Sequence, residues 1–163
     1  MSKLSEHLDL SEVTRSGTAK RLGISNEPTA EHIENLKKLA EHIFEPIREH
    51  FGVPIYISSG YRSTALNKAT PGASATSQHS SGEAIDIDMD GHGSKVTNKQ
   101  IFDFIKTNLK FDQLIAEFPV NSQPAWVHVS YESTGKQRNQ ILVAKRVNGV
   151  TKYNPYKSDA DLK

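Results

Sequence analysis

The stretch Ser77-Gln78-His79-Ser80-Ser81-Gly82-Glu83-Ala84-Ile85-Asp86 constrains this chain more than any other. It sets an imidazole and a carboxylate on the two sides of a glycine. Gly82 permits a tight turn, and Ala84-Ile85-Asp86-Ile87 reads as a strand leaving it. Side chains alternate across a strand, so Asp86 points away from the face that carries Ile85 and Ile87. A carboxylate carried into an apolar segment is costly unless it is paired or binds a metal. Trp126-Val127-His128-Val129 repeats the pattern, with one polar residue in an apolar strand. Singly, these residues read as a capped loop carboxylate and two ordinary histidines. Together, His79, Asp86 and His128 predict one metal site. Two His and one Asp with an open fourth position suit zinc, and the same set also serves iron(II). The chain has no Cys, which excludes disulfides and thiolate ligation.

The remaining pattern predicts an α+β fold, with helices packed on a small, mainly antiparallel sheet. Residues 1–28 read as an N-terminal arm, 29–147 as the zinc-site domain and 148–163 as a polar, loose C-terminal tail. Thr29 is placed to cap a helix whose apolar residues Ile33, Leu36, Leu39, Ala40, Ile43, Phe44 and Ile47 recur at spacings of three and four. Pro46 should bend this helix and Phe51-Gly52 should close it. His32, His42 and His50 sit among Glu and Lys on a solvated face. Ile55–Ser58, Ala84–Asp88, Gln113–Phe118, Trp126–Val129 and Gln140–Ala144 read as strands, the last at a sheet edge. Ile101, Phe102, Ile105 and Leu109 mark a second helix. Thr70–Ser81, rich in Gly, Ser, Thr and Pro, is a loop. Asp86-x-Asp88-x-Asp90-Gly91 opens like a calcium-binding loop, but Thr97 stands where that loop needs a Glu. Asp88 falls on the Asp86 face, as an outer partner of the metal site.

Ser77-x-His79-x-x-Gly82-x-Ala84-x-Asp86 followed by Trp126-x-His128 resembles the zinc D-Ala-D-Ala carboxypeptidases, the M15 peptidases, whose fold is shared with the Hedgehog signalling domain. Ser59-Gly60-Tyr61-Arg62-Ser63 fits the same family, which places an arginine just upstream of the first zinc ligand. The resemblance covers roughly Leu36 to Val143. It implies one Zn2+ on His79, Asp86 and His128, and an arginine, Arg62, that contacts the bound peptide and stabilises the oxyanion. Ser77, Gln78 and Trp126 are further candidates for contact with substrate. The implied partner is a bacterial cell-wall stem peptide, cut at D-Ala-D-Ala or at L-Ala-D-Glu by a monomer.

The formal net charge of +1 creates no field that favours nucleic acid or a membrane surface. No run approaches the ~20 apolar residues of a membrane span, and Met1–His7 has no apolar signal segment. The expectation is synthesis in the cytoplasm and action on the cell wall, by the exit route of a phage lysis or tail-associated enzyme.

One departure stands out. Family members place an acid a few residues before the last His, and here Ala125 and the loop 122–124 supply none. Glu117 is the predicted general base, reaching the site from a strand paired with the one that carries His128. Glu132 and Glu83 are weaker candidates. The missing acid also sustains an alternative, a non-catalytic, zinc-stabilised binding domain of the Hedgehog kind.

Overall fold

The N-terminal residues fold back on themselves before any long element forms. The computed structural model describes residues 2–163. Strands β1 (Lys3–Ser5) and β2 (Leu8–Asp9) pair antiparallel. Helix α1 (Leu10–Thr14) follows, with the Asp9 N–H donating to the Glu12 carboxylate at 2.8 Å. Ser16 caps the short helix α2 (Gly17–Leu22) by accepting from the Ala19 N–H. Leu4, Leu8 and Val13 are buried in the same apolar cluster as the rest of the chain. The arm is thus built into the core.

Thr29 caps helix α3 (Ala30–Leu39) by accepting from the His32 N–H. The single helix expected through Phe51 runs without a break from Ala30, and its ladder changes within it. An i→i+5 turn at Ala40–Phe44 joins α3 to α4 (Glu45–Phe51). The turn falls just before Pro46, whose ring and missing N–H disturb the regular ladder. Leu36, Leu39, Ala40, Ile43, Phe44 and Ile47 are all buried, as their spacing predicts.

Strand β3 (Ile57–Ser59), helix α5 (Thr64–Ala69) and a 3-10 turn at Gln78–Ser81 lead into β4 (Ala84–Ile87). Helix α6 (Asn98–Asn108) precedes β5 (Gln113–Glu117), β6 (Trp126–Ser130), β7 (Gln140–Val147) and β8 (Val150–Pro155). These six strands form one sheet in the order β3-β4-β6-β5-β7-β8. Every neighbouring pair is antiparallel except β5 and β7. The α+β arrangement on a mainly antiparallel sheet is therefore as expected. Ile85, Ile87, Leu114, Ala116, Val127 and Val129 join the helices in the core. Strand alternation sends Asp86, Ile115, Glu117, Trp126 and His128 to the other face.

Two expectations fail at the C-terminus. Residues 148–163 are not a loose tail: β8 pairs along β7 from Val147↔Val150 to Leu142↔Pro155, and a final 3-10 turn at Asp159–Leu162 buries Leu162 completely. Strand β7 is consequently interior rather than at an edge. β8 is held by its backbone ladder, and its side chains are mostly exposed, so no apolar alternation announces it. Among the described residues, no helix is long and apolar enough to cross a membrane.

Candidate metal centre

The sheet register sets half of the site. Asp86 on β4 stands directly opposite His128 on β6, and Ile115 on β5 stands opposite His128 from the other side. Directly paired residues share a face, so the carboxylate and the imidazole meet. His128 Nδ1 lies 3.0 Å from Asp86 Oδ1.

A loop brings the third group. Gly82, at φ 77°, ends the 3-10 turn two residues before β4; a Cβ there would lie 2.6 Å from the His32 carbonyl oxygen. His79 Nδ1 donates to the Gly60 carbonyl at 2.7 Å. That bond fixes the tautomer and leaves Nε2 as a lone-pair donor, 3.3 Å from Asp86 Oδ1. One ligand atom each from His79, Asp86 and His128 lies within 4.8 Å of the others. Burial opposes charge on Asp86, but His79 and His128 outweigh it and hold the carboxyl well below its ordinary range. The donor set is therefore a carboxylate that stays ionised and two imidazoles, one with its lone pair oriented by a backbone carbonyl. It fits a divalent ion of the zinc type.

Arg62 is tied to the same loop. Its N–H donates to the His79 carbonyl at 3.1 Å, and its Nη2 reaches Ser77 Oγ at 3.5 Å. Its buried Nε has no partner among the described residues. Burial lowers its pKa, and the charges of Asp86 and Glu117 oppose that shift.

Glu117 is 7% exposed and stands opposite Trp126, which makes it a diagonal neighbour of His128 on the ligand face. Such neighbours are roughly 7–8 Å apart. Burial raises the Glu117 carboxyl to about 7; His128 and Arg62 pull it down, and Asp86 pushes it up. A buried acid in electrostatic contact with two metal-site residues and Arg62 is placed for proton transfer. The two weaker candidates are occupied elsewhere. Glu83 accepts from Ser81 Oγ and the Ser133 N–H, and Glu132 accepts from Thr134.

The other predicted residues fall in varied places. Ser77 caps the 3-10 turn by accepting from the His79 N–H, so it shapes the loop. Gln78 donates to Asp112 at 3.0 Å. Trp126 is half-buried on the ligand face, its ring 5.4 Å from that of Phe118. Asp88 is not a partner of the site: it accepts from Asn98 Nδ2 and the Asp90 N–H and shapes the following turn. His42 stacks on Tyr131 and His50 on Phe104, which leaves them structural.

Sequence reasoning missed the arm's role. A Cβ on Gly60 would lie 2.5 Å from the Val13 carbonyl oxygen, so α1 presses against the residue that orients His79. The Tyr61 N–H donates to that same carbonyl at 2.6 Å. Asn26 donates to the Thr14 and Tyr61 carbonyls and accepts from the Ser63 N–H. It also missed Tyr153 on β8. Tyr153 pairs with Ala144, and Ala144 with Glu117, so the ligand face extends to this tyrosine. Burial and the charges of Glu117 and Asp86 raise its pKa.

A family model described as Peptidase M15 matches residues 6–130. That span takes in most of the arm, all three candidate ligands, Arg62 and Glu117. No curated protein matches the chain.

Proposed function

The chain belongs to the M15 peptidase family and is a metallopeptidase, and from that premise we propose that it is a zinc enzyme hydrolysing peptide bonds in bacterial cell-wall stem peptides. The bond is of the D-Ala-D-Ala carboxypeptidase or L-Ala-D-Glu endopeptidase type. The observation that carries the catalytic reading is Glu117, buried on the ligand face beside His128 and raised to about 7. The absent acid before His128 is the ground for a non-catalytic binding domain, and Glu117 supplies that acid from the neighbouring strand.

His79, Asp86 and His128 would hold the ion. When bound, it supplies Lewis-acid polarisation of the scissile carbonyl and of water. Glu117 accepts a proton from the attacking water as its oxygen bonds to the carbonyl carbon. It returns that proton to the nitrogen as the C–N bond breaks. Arg62, with a donor unpaired in the buried site, holds the carbonyl oxygen as it gains charge. The Gly60 carbonyl keeps the His79 ring in one tautomer throughout.

The test is mass spectrometry of the products from a defined muropeptide, with and without a chelator. A new free amine at one stem-peptide bond, lost on chelation and restored by zinc, is the expected result. An intact muropeptide after incubation with fully zinc-loaded protein would replace the peptidase with the binding domain.

A further inference from the structure

A cavity of about 500 Å³ opens between the arm and β3. Arg15, Lys20 and Arg62 line it, together with the hydroxyl residues Ser16, Ser59 and Thr70. Among the described residues, no Asp or Glu lines it. None of the three cations forms an ion pair with a carboxylate among the described residues. Three positive groups around one hydroxyl-lined space, with no carboxylate in its lining, form a receptor for carboxylates.

The cavity is joined to the metal centre. Ser59 pairs with Asp86 across β3 and β4, so the cavity begins about one strand spacing, roughly 4.8 Å, from a metal ligand. Arg62 belongs to both, since it lines the cavity and feels the charges of Asp86 and Glu117. An extended peptide advances roughly 3.3–3.6 Å per residue. A substrate with its scissile bond at the metal would therefore enter the cavity within one or two residues.

Size narrows the occupant. The volume falls within the roughly 300–1,000 Å³ of sites that enclose drug-sized ligands. A single terminal alanine with its carboxylate would leave most of it unfilled. We propose that this cavity is a specificity pocket for an acidic segment of the peptide substrate, with Arg15 and Lys20 as its charge-reading residues. The proposal rests on the peptidase reading and deepens it. It favours a peptide that continues past the cleaved bond through an acidic residue over one that ends there in a single alanine.

The test is calorimetric titration of the zinc-loaded protein with the dipeptide γ-D-glutamyl-lysine, with the same dipeptide amidated at both carboxylates, and with D-alanine. Hydrogen bonds to charged groups are roughly twice as strong as neutral ones, so the acidic dipeptide should bind at least about tenfold tighter than the other two. The double variant Arg15→Gln/Lys20→Gln should lose that preference. Arg15→Lys/Lys20→Arg, which keeps both charges, should retain it. Equal affinity for all three probes overturns the pocket. So does a Gln double variant that binds like the wild type, or a charge-keeping variant that loses the preference along with the Gln variant. Muropeptide turnover by the same wild-type preparation separates the two ideas. Charge-selective binding without turnover sinks the peptidase and leaves the pocket. Turnover without charge selectivity does the reverse.

Discussion

The two halves of the metal centre are held in different ways. Asp86, His128 and Glu117 sit on three adjacent strands, and their positions follow from backbone register. His79 and Arg62 sit on loops, and their positions follow from a chain of individual contacts. The Val13 carbonyl holds Tyr61, Asn26 ties the arm to Tyr61 and Ser63, and the Gly60 carbonyl orients His79. A ladder of backbone hydrogen bonds resists the loss of any one side chain. A chain of single contacts does not. The sheet half should therefore fail only when its own functional groups are removed, whereas the loop half should also respond to changes in the arm.

The largest effect belongs to the ligands, where the halves meet. His79→Ala and His128→Ala should each abolish stoichiometric zinc, measured by metal analysis after dialysis. They should also lower the melting temperature, because binding at such a site is linked to folding. Both variants keeping full zinc would remove the site.

Glu117 probes the sheet half without touching the ligands. Glu117→Gln should retain zinc and lose at least about a hundredfold in kcat, the lower end for losing a general base. The same substitution has a signature in the metal-free protein. Burial raises the Glu117 carboxyl from 4.5 to about 7 in the folded chain. Its contribution to stability is full below pH 4.5 and is lost as pH rises through 7. Across that window the metal-free wild type should lose about 3 kcal/mol that Glu117→Gln keeps. Denaturant titrations at several pH values would show it, and parallel curves for the two proteins would place Glu117 in water.

Arg62 probes the loop half. Arg62→Lys preserves the charge and loses the planar fork. Zinc content should hold while kcat/KM falls at least about tenfold, the cost of one charge-assisted hydrogen bond. Unchanged turnover would make Arg62 a surface cation.

The two halves also differed in how legible they were. Asp86 and His128 were legible because a polar residue in an apolar strand violates a strict period, and Glu117 because it closes such a run. The pairing of β5 with β6 was an inference from the loop between them, and the register bears it out. His79 was legible only through its spacing to Gly82 and Asp86. The Gly60 contact was not, because a backbone carbonyl acting as the orienting partner leaves no side-chain trace. The arm was hidden for the same reason: Val13 and Tyr61 act there through main-chain groups, and a lone Asn26 reads as a turn residue. β8 was hidden by its exposure, since a strand that buries little shows little alternation.

Asn26→Ala separates the halves by the smallest change. It removes two donors and one acceptor and strands the Thr14 and Tyr61 carbonyls and the Ser63 N–H. Among the described residues, the Asn26 side chain hydrogen-bonds to neither the ligands nor the sheet. Leaving part-buried polar groups unpaired costs about 1–3 kcal/mol each when they stay dry. Here water can reach some of them, so the loss of stability should sit near the bottom of that range. Zinc affinity should fall about tenfold, the lower end for disturbing a group that orients a ligand. The place of the change matters more than its size. In amide hydrogen exchange, Tyr61, Arg62 and Ser63 should lose protection while Asp86 and His128 keep theirs, because the β4–β6 ladder has its own hydrogen bonds. If protection instead falls equally at Asp86 and His128, the site opens as one unit, and the arm supports the sheet as much as the loop.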